Sequence, residues 1–426
     1  MGQLTMAKQR VLYISHGHPN IMAGGAEVYA YELYKGMQQS DKWEPFFLAY
    51  AKMAPHLGVP FRSIGDDPNQ TLMTGGGYDY FYGALPNKDT YTRYFRDYLM
   101  KVRPQVVHFQ HTLHLGYQMI QEVRRTLPDT KIVYTLHEYL PICNANGQMV
   151  RTRNADRCRE ASPQRCHECF PKKTPQQFFL REKFVRSHFA LVDKFHAPSK
   201  FLMERYVDWG IPRDKILFLE YGRQVQKPVP HRKVIKGKPR NRFGFFGQLN
   251  KYKGILPLLQ AMEILANREF EDVSLTVNGA NLEIQPPPFP EQFKSLVERA
   301  GNLVNIAGPY QNEELDDRME SCDWVIIPSV WWENSPLVIQ EAFMHKRPIL
   351  VSNIGGMAEK VTDNVDGLHF QCGNPADLAD TIERAATDPD LWERLVKGIR
   401  PVFEMADAVI EHEGLYSQLQ TGGVAA

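Results

Sequence analysis

Residues 324–341, WVIIPSVWWENSPLVIQE, constrain this chain more than any other stretch. Residues 324–328 are a short apolar run bounded by polar and turn residues, the pattern of a buried parallel strand. Glu333, Asn334, Ser335 and Pro336 follow. Ser335 suits a helix N-cap, and Pro336 suits the first helical position, where its missing N–H costs nothing. From there Leu337, Val338, Ala342 and Phe343 recur at helical spacing. The predicted unit is therefore strand, tight loop and helix, with the loop ending where free N–H groups and the helix dipole favour phosphate. Glu333 lies in the loop and Glu341 inside the helix. At a rise of ~1.5 Å per helical residue, their carboxylates stand on the order of 10 Å apart. A retaining hydrolase needs its two carboxyls roughly 5 Å apart. The pair instead suits one extended ligand with hydroxyls at both ends and phosphates between, such as a nucleotide sugar.

This Glu-x7-Glu spacing with Ser-Pro-Leu inside it resembles the donor-site motif of retaining family-4 glycosyltransferases of the GT-B fold (glycosyl transferases group 1). The resemblance implies an α/β protein of two Rossmann-like domains facing across a cleft. It places Glu333 on the donor sugar hydroxyls, Glu341 on the ribose, and the segment Ser335, Pro336, Leu337 and Val338 at the diphosphate. Gly24-Gly25, ahead of the helical pattern AEVYAYELYKGM, resembles the family's N-terminal glycine loop. Gly247 and Gln248 end a strand, and Lys253 precedes Gly254. The family has Gly-Arg at the first of these positions, so Gln248 leaves one charge fewer for the diphosphate, while Lys253 keeps the lysine. Asn353-Ile354-Gly355-Gly356 resembles the family's loop near the donor, and Asp366-Gly367 matches a further common segment. No G-x-G-x-x-G is present, which argues against a nicotinamide dinucleotide site.

Strand and helix patterns alternate along the chain, which predicts parallel sheets. Expected strands are 11–14, 44–50, 105–110, 131–137, a run near 191–197 and one at 216–222; 51–104 reads as irregular structure followed by a helix near 88–101. Asp66-Asp67 reads as turn chemistry. The proline-rich, basic stretch 223–241 reads as a linker. The expected domains are residues 1–225 on the acceptor side, with a Cys-rich insert at 143–170, and 240–402 on the nucleotide-sugar side. The C-terminal helix, about 403–426, is expected to pack back on the first. Further strands are expected at 243–246, 273–280, 302–308 and 348–352, helix at 311–322 and 375–420, and a rigid loop at 285–291.

At 426 residues the chain can build two cores, and a net charge of +1 removes a whole-chain electrostatic case for nucleic acid. The start MGQLTMAKQRVLYIS lacks the apolar core of a signal peptide, no run has the length of a membrane span, and Met1-Gly2 with Thr5 is only a loose match to a myristoylation start. A cytoplasmic protein with reduced thiols is expected, in peripheral contact with the inner face of a membrane if its acceptor is lipid-linked.

His137 falls at the carboxyl end of a strand, where ligands of open α/β sheets bind. His108 and His111 are weaker candidates of the same kind. The expected catalytic set is Glu333, His137 and Lys253, acting without a catalytic metal, with a saccharide or lipid-linked hydroxyl as acceptor. Cys143, Cys158, Cys166 and Cys169 are bunched in a polar, basic stretch with no core of its own. Cys166-His-Glu-Cys169 reads as a C-x2-C hairpin that grips a tetrahedral metal. A structural zinc site is the first expectation, uncombined thiols the second, and an iron–sulfur cluster or regulatory disulfide the third. Residues 174–190 read as an amphipathic basic helix, whose Phe178, Phe179, Phe184 and Phe189 pack on the sheet or meet an anionic membrane. The rival readings are a non-catalytic GT-B scaffold that works through the cysteine module, and a sugar-nucleotide hydrolase or epimerase of the same fold.

Overall fold

The computed structural model describes residues 7–422 apart from 23, 53–58, 76, 87, 236, 237 and 239. The N-terminal MGQLT and the centre of the Gly75–77 triplet lie outside these. The chain divides into two compact units, residues 1–224 with 403–426, and residues 225–402.

The first unit is built on β1 (Gln9–Ser15), α1 (Gly25–Met37), β2 (Trp43–Tyr50), β3 (Phe61–Ser63), β4 (Gln70–Met73), α2 (Lys88–Val102), β5 (Val106–Phe109), α3 (Gln118–Thr126), β6 (Lys131–Thr135), α4 (Pro163–Cys169), α5 (Pro175–Phe189), β7 (Lys194–Ala197), α6 (Lys200–Asp208) and β8 (Ile216–Phe218). The strands form one sheet in the order β3-β4-β2-β1-β5-β6-β7-β8, parallel except where β3 meets β4. Strand order reverses at β1, so the loop after β1 opens at the switch point where ligands of such sheets bind.

Strands β3 and β4 lie inside 51–104, where irregular structure was expected; at three and four residues they are too short to show a period. Asp67 does more than make a turn. Its carboxylate accepts from the side chains of Tyr34, Gln38 and Gln70 and from the Asn69 N–H, tying α1 to β4. Ser199 caps α6 by accepting from Leu202 N–H, and Thr174 closes a capping box with Gln177 at the start of α5.

The second unit contains β9 (Arg242–Gln248), α7 (Ile255–Asn267), β10 (Ser274–Ala280), α8 (Phe289–Ala300), β11 (Val304–Gly308), α9 (Leu315–Glu320), β12 (Trp324–Ile327), α10 (Leu337–Met344), β13 (Ile349–Ser352), α11 (Gly355–Lys360), β14 (Gly367–Phe370), α12 (Pro375–Thr387) and α13 (Leu391–Gly398). Its sheet is wholly parallel, in the order β11-β10-β9-β12-β13-β14, with the switch at β9. Successive side chains of a strand take opposite faces. Phe243, Phe245, Trp324 and Ile326 therefore join one core with α7, α8 and α12, while Phe246, Val325 and Ile327 join another with α9, α10 and α11. Both faces are covered, which is why these strands read as continuous apolar runs. Helix α8 begins within the proline-rich 285–291 segment that was expected to be loop; Pro290 sits in its first turn, where no N–H is needed.

The last helix, α14 (Met405–Thr421), belongs to the first unit. Glycine at position 36 lets α14 approach α1, since a Cβ there would stand 2.9 Å from Val409 Cγ2. Tyr416 Oη of α14 meets His108 Nδ1 at 2.7 Å in the interior. His108, His196 and His412 bring ring nitrogens within 4.8 Å of one another in this core, and His412 Nε2 is buried without a partner. Burial lowers the pKa of all three, His196 to about 3 and His412 to about 4. His108 has both ring nitrogens engaged, Nδ1 with Tyr416 Oη and Nε2 with Thr135 Oγ1, each at 2.7 Å. Among the described residues, no helix is long and apolar enough to cross a membrane.

Candidate active site

In the second unit, two loops clamp the segment that carries Glu333. After β9, Asn250 accepts from the N–H groups of Tyr252 and Lys253, folding a single 3-10 turn that sets Lys253 in place. Gly254 follows with φ +70°, and a Cβ there would fall 1.7 Å from the Pro328 carbonyl oxygen. Only glycine allows this contact with the end of β12. Val330 N–H donates to Tyr252 O at 2.9 Å, completing the clamp. From the other side, Gly356 N–H donates to Glu333 O at 2.8 Å, and a Cβ at 356 would lie 1.6 Å from Asn334 O.

Held this way, Glu333 is buried, 5% exposed, and its Oε1 gathers three partners. Lys253 Nζ approaches to 2.7 Å, Ser329 Oγ donates at 2.7 Å and Trp331 Nε1 at 2.9 Å. The predicted sites Glu333 and Lys253 are thus brought together. Helix α10 starts one residue later than expected, with Pro336 at the N-cap and no side-chain cap. Ser335 is not the cap; its Oγ is buried without a hydrogen-bond partner. The first N–H groups of α10, from Leu337 and Val338 onward, are therefore not consumed by a capping side chain. Glu341 sits half-buried in α10. Gly247, with φ +144°, and the exposed Gln248 end β9. Gly355 and Gly356 open α11 instead of lying in a loop.

The first unit holds a cavity of about 830 Å³ at the carboxyl ends of β1, β5 and β6. Gly25, at the start of α1, and His137 line it; Gly24 is the N-cap of α1. So do His16, Glu27, His111 and Glu138, of which only His111 was a candidate from sequence. His16 Nε2 lies 2.9 Å from Glu27 Oε1, and the His16 and His111 ring centroids lie 4.3 Å apart with the rings tilted by 43°. Burial raises the Glu27 pKa, but the bond and charge of His16 outweigh it, so the net shift is downward. Leu113 N–H donates to His111 Nδ1 at 2.9 Å, so neutral His111 carries its proton on Nε2 and gives it to Glu138 Oε1 at 3.1 Å. Burial in the cavity wall pushes Glu138 up to about 8 and holds His111 well below its usual range.

His137 has both ring nitrogens engaged, Nδ1 with Tyr221 Oη and Nε2 with Gln110 Oε1. Burial keeps it neutral, and this geometry makes it a rigid part of the wall. In the sequence Glu138 reads as an ordinary acid beside His137; its place just past a strand end is the one signal that marks it.

The four clustered cysteines line one small cavity together. Cys166 and Cys169 lie on α4, so the C-x2-C pair is helical, not a hairpin. None of the six cysteines is in a disulfide.

These two doubly wound sheets, each with a glycine loop at its switch point, are the fold of two-domain nucleotide-sugar enzymes. Residues 23–222 match Glycosyltransferase Family 4, and residues 227–401 match Glycosyl transferases group 1. The chain belongs to these family-4, group-1 glycosyltransferases of the GT-B fold. A D-inositol 3-phosphate glycosyltransferase of Arthrobacter sp. is 29% identical over 165 residues, 38% of each chain. The matches span between a third and just over half of the curated relatives' length. Sucrose-phosphate synthase from Thermosynechococcus elongatus shares the fold at TM-score 0.73 and 18% identity, over 98% of this chain and 100% of that one. Anabaena HepE, solved in complex with UDP, shares it at TM-score 0.67 and 14% identity, over 96% and 100%.

Proposed function

We propose that the chain transfers a hexose-type sugar from a nucleotide diphosphate sugar to a hydroxyl of a saccharide or lipid-linked acceptor, with the anomeric configuration retained. The observation that carries this reading is the Lys253–Glu333 pair, held by two glycine contacts beside the uncapped start of α10. The donor diphosphate takes the α10 N–H groups and draws Lys253 from Glu333; Glu333 is then left to accept from donor sugar hydroxyls, and Glu341 from the ribose. The bond from the anomeric carbon to the phosphate oxygen breaks, and one to the acceptor oxygen forms on the same face. The acceptor proton passes to the departing phosphate. Fixed N–H groups and Lys253 stabilise the leaving charge, so no metal is assigned a step. The 830 Å³ cavity of the first unit takes the acceptor, with Glu27, Glu138 and His111 offering hydroxyl partners. Cell-surface polysaccharide or glycolipid assembly at the cytoplasmic side of a membrane is the setting proposed. Phe179 and Leu180, about half exposed on α5, support a peripheral contact there.

The test is thermal unfolding with UDP, GDP, ADP and CMP, each with and without Mg²⁺, followed by incubation with the matching sugar nucleotide. A nucleotide at 100 times its Kd stabilises by roughly 2.7 kcal/mol. UDP is the first probe, given the UDP complex of Anabaena HepE. A Mg²⁺-independent shift with one nucleotide, and a product of unchanged anomeric configuration by NMR, is expected. No shift with any nucleotide, or release of free sugar as readily without acceptor as with it, overturns the reading.

A further inference from the structure

Helix α4 has a property that short helices rarely survive: none of its residues is buried. As an isolated peptide, seven residues would make too few hydrogen bonds to hold a helix, since even ~12 are marginal. Helix α4 has only partly buried contact with α5 to support it. Ser162 caps it, accepting from Arg165 N–H, but a cap stabilises by only about 1 kcal/mol. The preceding segment, 144–162, contributes one buried apolar side chain, Met149. What the region shares instead is a cavity of about 30 Å³ lined by Cys143, Cys158, Cys166 and Cys169. That is enough room for a water-sized guest such as a single ion.

Charge points the same way. Between Cys143 and Cys169 the sequence holds five arginines against one aspartate and two glutamates, a net +2. One divalent ion with four thiolates carries a formal −2. We propose that Cys143, Cys158, Cys166 and Cys169 bind one Zn²⁺ as thiolates, and that this ion fixes one wall of the 830 Å³ cavity. On binding, four S–H protons pass to solvent and four Zn–S bonds form, with no oxidation or reduction. Four protein ligands leave no open position, so the ion is structural.

The consequence for the cavity follows from shared residues. Asn144, Cys169 and Phe170 line both cavities, and Lys172 and Lys173 of the larger one come directly after. His167, between the two helical cysteines, bonds Lys173 O through Nδ1 at 2.7 Å, and Lys173 Nζ lies 4.6 Å from the Phe81 ring centre. Anchoring α4 therefore anchors the wall. Tetrahedral coordination with Zn–S bonds of ~2.3 Å sets sulfurs about 3.8 Å apart. Among the described residues no three of these sulfurs lie mutually within 4.8 Å. Cys158 Sγ donates to Glu160 O at 2.9 Å, a bond that is given up when the thiol loses its proton to become a ligand. The module closes on the ion as it binds, as metal sites coupled to folding do.

The test uses the full chain, purified from zinc-supplemented medium. Elemental analysis is expected to give about one Zn per chain, lost in Cys143→Ser and Cys166→Ser and kept in Cys372→Ser. Stripping the metal with a thiol-reactive mercurial and a chelator should speed tryptic cleavage after Arg151, Arg157, Lys172 and Lys173 at least tenfold, with Zn²⁺ restoring protection. Folded protein with no zinc and four alkylatable thiols overturns the proposal. So does iron with acid-labile sulfide, a disulfide among the four, or zinc unaffected by both substitutions. Unchanged cleavage after Lys172 and Lys173 on metal removal overturns the wall assignment. None of these readouts depends on donor binding.

Discussion

Lys253 Nζ stands 2.7 Å from Glu333 Oε1 across 80 residues of sequence, and each side chain reaches that position from a loop pinned by a glycine. Glu333 retains Ser329 and Trp331 as donors without the lysine. Lys253→Ala should therefore leave the fold intact by circular dichroism and lower turnover by more than tenfold, through lost stabilisation of the leaving diphosphate. Glu333→Gln should lower turnover by more than tenfold as well. Full activity in both variants would contradict the assigned roles.

The glycine contacts make a separate prediction. An alanine Cβ at 356 would overlap the Asn334 carbonyl oxygen, a backbone atom fixed by its neighbours. Gly356→Ala should cost about 1–3 kcal/mol in denaturant unfolding, the range for overpacking, and weaken nucleotide binding. Gly254→Ala should cost more, since it adds a positive φ to a 1.7 Å overlap with Pro328 O. Gly414, inside α14, meets nothing within 4 Å. Gly414→Ala should raise stability by roughly 0.5–1 kcal/mol through helix propensity alone.

Glu138 gives the protein a pH dependence of definite sign. Its folded pKa, about 8, lies above the ordinary 4.5, so the folded state binds more protons between these values. Its contribution to stability is full below pH 4.5 and declines as pH rises through 8. Glu138→Gln should flatten the fall in stability between pH 4.5 and 8, measured by urea unfolding at several pH values. An unchanged slope would show that Glu138 does not titrate in the wall.

The buried histidines act at the other end of the scale. His196, at about 3, and His412, at about 4, are depressed below the ordinary 6.5 by burial. The unfolded chain binds protons first, so their contribution is whole above pH 6.5 and is lost as pH falls toward 4 and then 3. His412 Nε2 already lacks a partner, so the apolar substitution His412→Leu should reduce the acid sensitivity of the first unit. Urea midpoints at pH 7 and pH 5 check this: the difference should shrink in the variant.

Much of the donor-side loop was legible because its signals are local. The run 324–328, the turn residues after it and the apolar spacing from Leu337 sit within a dozen or so residues, and strand, loop and helix appear there. Alternation of strand and helix likewise gave two mostly parallel sheets. The failures were local too. Ser335 resembled an N-cap in composition, but its Oγ does not bond the helix, and the three- and four-residue strands β3 and β4 carry no period. A proline-rich segment read as loop turned out to begin α8, because proline is tolerated in a first helical turn.

The sequence by itself determined the α/β class, the glycosyltransferase family and the short motifs, since each is written in residues that lie close along the chain. Tertiary structure alone decided which motifs meet. Strand order at β9 and β12 brings Lys253 to Glu333; the meeting of β1, β5 and β6 gathers His16, Glu27, His111 and Glu138; and the return of α14 buries His412 beside His108. Contacts of that kind depend on sheet order and helix return over tens to hundreds of residues. No window of local periodicity contains them.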